Sequence, residues 1–320
     1  MKKQSITHCT RAARILGGCL LLLSFFMSTS QTSAQKSFTL EDLLSSGKNY
    51  WNLYPKYIRT TWWGDVPVEY NQREVRNLND NSVLFTCYDI NEWAGEQLVS
   101  SSSQCTFPFG AQPLTLIQAK GKWVKVDFQT HRVVWQQTLP REAGSKDWSP
   151  VSGHLAYTVQ GNLLVRTSEG VDLPVSTDGS TDGSDNIVYG TSVHRNEFGI
   201  EKGTFWSPDG EQLAYYRMDQ SMVPSYPQVD ITARIAQSYV DHYPMAGEMS
   251  HQVRVGIYNV RTRQNVWLQL EGAPDDYHTN LSWSPDGGTL YIFELNRDQN
   301  DMRVVAYDTR TGKPTATVLQ

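Results

Sequence analysis

A tryptophan-serine-proline turn occurs three times in this 320-residue chain with its surroundings held in phase. The copies are Trp148-Ser149-Pro150, Trp206-Ser207-Pro208-Asp209-Gly210 and Trp283-Ser284-Pro285-Asp286-Gly287, and in each a leucine (Leu155, Leu213, Leu290) falls seven residues after the tryptophan. Proline fixes φ, Asp-Gly supplies the bend, and the β-rich runs Leu155-Ala156-Tyr157, Leu213-Ala214-Tyr215 and Leu290-Tyr291-Ile292 bring the chain back. Each copy therefore predicts a β-hairpin whose incoming strand ends on a buried aromatic. A second element follows each hairpin: Leu163-Leu164-Val165-Arg166-Thr167, Val255-Gly256-Ile257-Tyr258-Asn259 and Val304-Val305-Ala306-Tyr307-Asp308. Val124-Lys125-Val126-Asp127-Phe128, leading to Arg132-Val133-Val134-Trp135, is an earlier copy without a hairpin of this kind ahead of it. These period-two runs predict the outer pair of a four-stranded sheet.

Hairpin plus hairpin, with no helical segment expected between repeats, predicts an all-β fold: a partial β-propeller of about four to five blades. Such blades cannot bury both faces alone and stack around an axis. A β-sandwich would also use many short strands, but it does not call for hairpins in phase. Outside the repeat, Phe38–Ser45 predicts a helix with Thr39 as N-cap and Glu41-Asp42 in its first turn. Ser176–Asp185, which duplicates Thr-Asp-Gly-Ser, reads as a solvated loop without the ligand spacing of an EF-hand.

The N-terminus carries Lys2, Lys3, Arg11 and Arg14, an apolar run from Ile15 to Met27, and a small-residue end at Thr32-Ser33-Ala34. That order predicts a signal peptide over residues 1–34 and an exported domain over 35–320; the apolar run is short of the roughly 20 residues that cross a bilayer. Cleavage removes four basic and no acidic side chains, so the formal charge of −5 becomes −9. A nucleic-acid partner is disfavoured, because phosphate binding relies on clustered Lys and Arg. Of the four cysteines, Cys87 and Cys105 remain, and export permits either a disulfide or two buried thiols.

Catalytic motifs are missing from the sequence: it contains no G-x-S-x-G elbow, P-loop, H-E-x-x-H pair or dinucleotide fingerprint. Seven histidines are scattered singly, none at i, i+4 spacing, so neither a metal nor an organic cofactor is expected. Glu197 stands out by place. Residues 193–203 lead into the hairpin of Trp206, and such connections line an end or the channel of a propeller. A carboxylate there suits capture of a cation such as a peptide's α-amine; the alternative is a surface glutamate paired with Arg195 or Lys202.

The strings VHRNEFGIEKGTFWSPDG (Val193–Gly210), AYYRMDQSMVPSYPQVD (Ala214–Asp230), YPMAG (Tyr243–Gly247), NLSWSPDG and LNRDQN (Leu295–Asn300), with FTLED and WSPVSGHLAY, carry a resemblance over nearly the whole exported part. The chain resembles the N-terminal propeller of the dipeptidyl peptidase IV family, most nearly its bacterial prolyl tripeptidyl peptidase branch. The resemblance implies an eight-bladed propeller joined to an α/β-hydrolase domain that holds the Ser-Asp-His triad and reads proline beside the cleaved bond. It implies that Glu197 binds the substrate's N-terminal ammonium. Dipeptidyl members have two adjacent glutamates at this motif, whereas here Asn196 precedes a single one, as in the tripeptidyl pattern. On this resemblance the chain is the first half of the propeller of an exported serine exopeptidase, inactive alone, acting on peptides with a free N-terminus, with a homodimer open. A free-standing exported propeller that binds peptides or proteins is the alternative.

Overall fold

The computed structural model describes residues 37–54, 57–180, 184 and 186–320. The expected signal peptide and part of the 176–185 loop lie outside the described residues. The chain divides into a unit up to Ile58 and a second from Arg59 to Gln320. In the first, the expected helix forms over Leu40–Leu43, shorter than the sequence suggests, and Tyr50–Leu53 adds another turn. Its cap is as read: the Asp42 carboxylate accepts from both the amide and the hydroxyl of Thr39 at 2.8 Å.

Among its described residues the second unit contains five antiparallel sheets of four or five strands in chain order, over residues 59–86, 105–138, 144–174, 187–267 and 277–319. Four are simple four-stranded meanders; in the fourth sheet, both Ile187–Tyr189 and Thr204–Trp206 pair with the strand Gln212–Asp219. A separate two-stranded hairpin, Ser225–Asp230 with Gln237–His242, lies in the chain between two strands of that sheet. One expectation fails: a helix, Cys87–Ala94, stands between the first and second sheets. Thr86 and Asp89 close a capping box on it and Gly95, at φ 68°, ends it, a T-x-x-D start and glycine stop of the ordinary kind.

Alternation along the strands explains the stacking. In Gln212–Asp219, Leu213 and Tyr215 pack with Leu163 and Val165 of the third sheet, while Ala214 and Tyr216 pack with Leu290 and Ile292 of the fifth. The same happens in the second sheet, where Ile117 and Val124 join Val68 and Val75 of the first, and Leu116 and Trp123 join Leu155 and Tyr157 of the third. Each sheet thus buries one residue set on each neighbour, about 1.5 to 3 kcal/mol per large side chain, and the core is a series of inter-sheet layers, as a propeller requires.

The repeated turns of Trp206 and Trp283 add a polar tie to the sheet before each. In all three the tryptophan pairs directly with its leucine: Trp148 with Leu155, Trp206 with Leu213, Trp283 with Leu290. The Trp206 indole donates to the Asp147 carbonyl (3.2 Å) and the Trp283 indole to the Phe205 carbonyl (3.0 Å), in each case the residue just before the tryptophan of the preceding sheet. Trp148 follows a sheet without this turn, and its buried indole N–H has no acceptor among the described residues. Within the turns, Ser207 and Ser284 donate to the carboxylates of Asp209 and Asp286 and accept the amides of Gln212 and Thr289. Cys87 and Cys105 are free, buried thiols in the core shared by the first two sheets.

Candidate functional site

The segment that brings the chain to Trp206 is built unlike anything around it. From His194 to Gly199 the backbone makes consecutive tight turns: His194, Arg195, Asn196 and Phe198 have φ of 50°, 53°, 63° and 54°, and Gly199 74°. Left-handed backbone costs a non-glycine residue on the order of 1 kcal/mol or more, so four such residues within five positions persist only where surrounding structure dictates it. Glu197 alone is extended, at φ −64° and ψ 158°. Its amide neighbours close the turns on either side, Asn196 donating to the Val193 carbonyl and Ile200 to that of Glu197, both at 3.1 Å.

The strap is held from below by buried aromatic and imidazole rings. His194, 2 % exposed, packs its ring against His251 (5.0 Å between centroids) and Tyr277 (4.8 Å). Phe198 meets the same Tyr277 edge-on at 4.9 Å, and its carbonyl accepts from Thr279 at 3.4 Å. Arg297 donates to the Tyr277 hydroxyl (2.9 Å) and to Ser250 (3.1 Å). Both ring nitrogens of His194, Nε2 of His251 and Nδ1 of His278 lack partners among the described residues. Burial, helped by one another's charge and by Arg297, pushes the His194 pKa down to about 2; burial first, then nearby arginines, pushes His251 and His278 down to about 4. These rings are therefore neutral at ordinary pH.

On top of the strap the charges are sorted. Arg195 pairs with Asp241 at 3.4 Å and lies over the Tyr243 ring at 4.7 Å. Lys202 pairs with Asp147 at 3.0 Å. Neither reaches Glu197, so the pairing that would have made it an ordinary surface charge is not formed. Glu197 is exposed, and its carboxylate has no hydrogen bond or ion pair among the described residues. Further along the segment, Gly199–Lys202 with Phe205, Tyr216 and Asn280–Ser282 line a cleft of about 500 Å³ that Glu197 does not line.

Residues 117–320, well over half the chain, match the family described as the dipeptidyl peptidase IV (DPP IV) N-terminal region. The chain belongs to the dipeptidyl peptidase IV N-terminal region family. Its sheets are blades of that family's propeller. A Bacteroides ovatus dipeptidyl aminopeptidase IV candidate superposes with a TM-score of 0.72 at 36% identity, over 88% of this chain and 40% of that one. Porphyromonas gingivalis dipeptidyl peptidase 4 shares the fold, with a TM-score of 0.61 at 22% identity over 82% of this chain and 39% of its own. Among curated proteins, those named as probable dipeptidyl-aminopeptidase B in Uncinocarpus reesii and Podospora anserina are 26% and 30% identical over 196 and 187 residues, 53% and 52% of this chain. The chain spans about a fifth of the length of these curated relatives: 21% and 20%.

The members of the cluster other than Glu197 were not singled out by sequence. His251, Tyr277 and Arg297 are 54, 80 and 100 residues further along the chain than Glu197; of the three, only Arg297 lies in a string that carries the resemblance, LNRDQN, and nothing there points to its role. Among the described residues no group of three His, Cys, Asp or Glu is placed to hold a metal ion, and no helix is long and apolar enough to cross a membrane.

Proposed function

We propose that this chain is the propeller portion of an exported serine exopeptidase of the dipeptidyl peptidase IV family, and that Glu197 anchors the substrate's N-terminal ammonium. The observation that carries the reading is the exposed, unpaired Glu197 carboxylate on a strained strap whose neighbouring cations are engaged elsewhere. A carboxylate whose backbone is held in place loses less freedom on gripping an ammonium than one on a mobile loop, and it sets the peptide's register against a nucleophile. The single glutamate after Asn196 favours release of three residues over two, and proline beside the cleaved bond is the expected requirement.

The test is the complete gene product assayed on a prolyl peptide with a free N-terminus and on its N-acetylated form. Glu197→Gln is expected to lower kcat/KM on the free peptide by about 10- to 100-fold, the worth of a charge-assisted hydrogen bond, and to leave the acetylated one unchanged. Equal kcat/KM in both proteins on the free peptide would sink the assignment. Export predicts a mature protein beginning at Gln35, which N-terminal sequencing reads directly.

A homodimer belongs to this reading. The hairpin Ser225–Asp230 with Gln237–His242 exposes Val229, Ile231, Ile235 and Tyr239 by 65, 92, 78 and 57 %, and an isolated two-stranded hairpin is marginal in water. Ile231→Glu with Ile235→Glu is expected to halve the mass seen by light scattering; an unchanged mass would place the contact elsewhere.

A further inference from the structure

We propose that Tyr277, held by Arg297, is the positioning residue for Glu197: a clamp from the fifth sheet that fixes a strap belonging to the fourth. The argument is geometric and rests on the reading of Glu197 given above. Tyr277 is 4 % exposed, and its one ring touches both flanks of the glutamate, His194 at 4.8 Å and Phe198 at 4.9 Å. Two contacts on either side of a residue define its place in a way one contact cannot, and here both contacted residues are in left-handed backbone that would relax if released. The ring itself has little freedom, because Arg297 donates to its hydroxyl at 2.9 Å while also donating to Ser250 at 3.1 Å, next to His251 on which His194 packs. Thr279, two residues on from Tyr277 in the same strand, donates to the Phe198 carbonyl at 3.4 Å. The strap is thus stitched to the strand Tyr277–Trp283 on both sides of Glu197, and the glutamate's own side chain takes no part in the stitching.

Tyr277 touches no substrate in this scheme; it acts through Glu197. The experiment compares Tyr277→Leu, Tyr277→Phe and Arg297→Met with Glu197→Gln in the complete gene product, with two readouts. The first needs no ligand: hydrogen exchange of the strap amides. Tyr277→Leu is expected to raise exchange at Asn196 and Ile200 at least tenfold while the amides of Gln212–Asp219 stay protected. Tyr277→Phe, which keeps the ring, should give less than a threefold change, and Arg297→Met should fall between. The second is the ratio of kcat/KM for free and N-acetylated peptide, which Tyr277→Leu should lower about tenfold, mainly through KM, with kcat on the acetylated peptide unchanged. Unchanged strap exchange in a folded Tyr277→Leu protein overturns the proposal, whatever Glu197 does. Faster exchange with an unaltered ratio, while Glu197→Gln abolishes it, overturns the positioning role as well. Faster exchange with no effect of Glu197→Gln on the ratio upholds the clamp and refutes the ammonium anchor instead. Should Tyr277→Leu fail to fold, Arg297→Met and Phe198→Leu carry the same two readouts.

Discussion

The seventeen residues from His194 to Gly210 hold two kinds of structure. Trp206–Gly210 is a turn made by its own side chains: serine to aspartate, aspartate to amide, glycine at φ 72° where the bend requires it. His194–Gly199 ends seven residues before Trp206 and obeys none of those rules, with four non-glycine residues in left-handed backbone and its side-chain support arriving from residues 251 to 297. The turn is locally determined and recurs; the strap is imposed from a distance and occurs once. Segments that violate local preference and are held by tertiary contact are where function concentrates, because the surrounding fold can then dictate a geometry the chain would not choose.

The joint between the two, Gly203, gives the harshest test. A Cβ there would lie 1.9 Å from the Thr191 carbonyl oxygen, so Gly203→Ala is expected to cost about 4 kcal/mol or more, measured from the urea midpoint, and to disturb strap and turn together. Trp206→Ala should cost about 3 kcal/mol through lost burial, whereas Trp206→Phe, which loses the bond to Asp147 but keeps a ring, should cost about 1 kcal/mol. No loss in Trp206→Phe would mean that the indole bond contributes nothing.

Acid separates the regions by pH. His194, His251 and His278 have native pKa values pushed below the unfolded value near 6.5. The unfolded chain therefore binds more protons, and stability is full above about pH 6.5 and declines as pH falls towards 4. Each histidine contributes at most about a tenfold change in the folding equilibrium per pH unit. In the turns, Ser284 and the Gly288 amide hold the Asp286 carboxyl below the usual carboxylate range, so that contribution is present above about pH 3.9 and is lost only at lower pH. Hydrogen exchange between pH 7 and 5 should accordingly show the strap loosening first; simultaneous loosening of strap and turns would erase the distinction. The smallest effect has the opposite sign. Arg195→Gly should stabilise the protein by about 0.5 kcal/mol, since glycine accepts φ 53° freely and the exposed pair with Asp241 is worth little.

The same contrast decided what could be read from sequence. The Trp-to-Leu register, the serine-proline-aspartate turns and the third strands of four sheets were legible, because each is set by residues within ten positions of one another. The first sheet, 59–86, was not, since it has neither the turn nor a clean alternation: Arg59–Trp63 is mostly exposed, and Glu74–Asn77 and Val83–Thr86 are only four residues long. Cys87–Ala94 was not legible although Thr86 and Asp89 mark its start, because an eight-residue helix between two sheets falls outside the hairpin repeat. At the site, resemblance picked out Glu197, but the isolation of its carboxylate depended on where Asp241 and Asp147 fall; Arg297 sat in the LNRDQN string without a role, and the contact of Tyr277 with the strap had no signal short of the folded chain.

The indole-to-carbonyl tie has a direction. Trp206 and Trp283 each donate their indole N–H backwards along the chain, to the carbonyl just ahead of the previous copy's tryptophan. A unit with that polarity is a brick with a tongue on one side and a groove on the other, so a duplicated copy arrives already matched to its neighbour. Growth by duplication after Trp148 needs no new contact to be invented, whereas growth before it does: Trp148 has a tongue and no groove to enter.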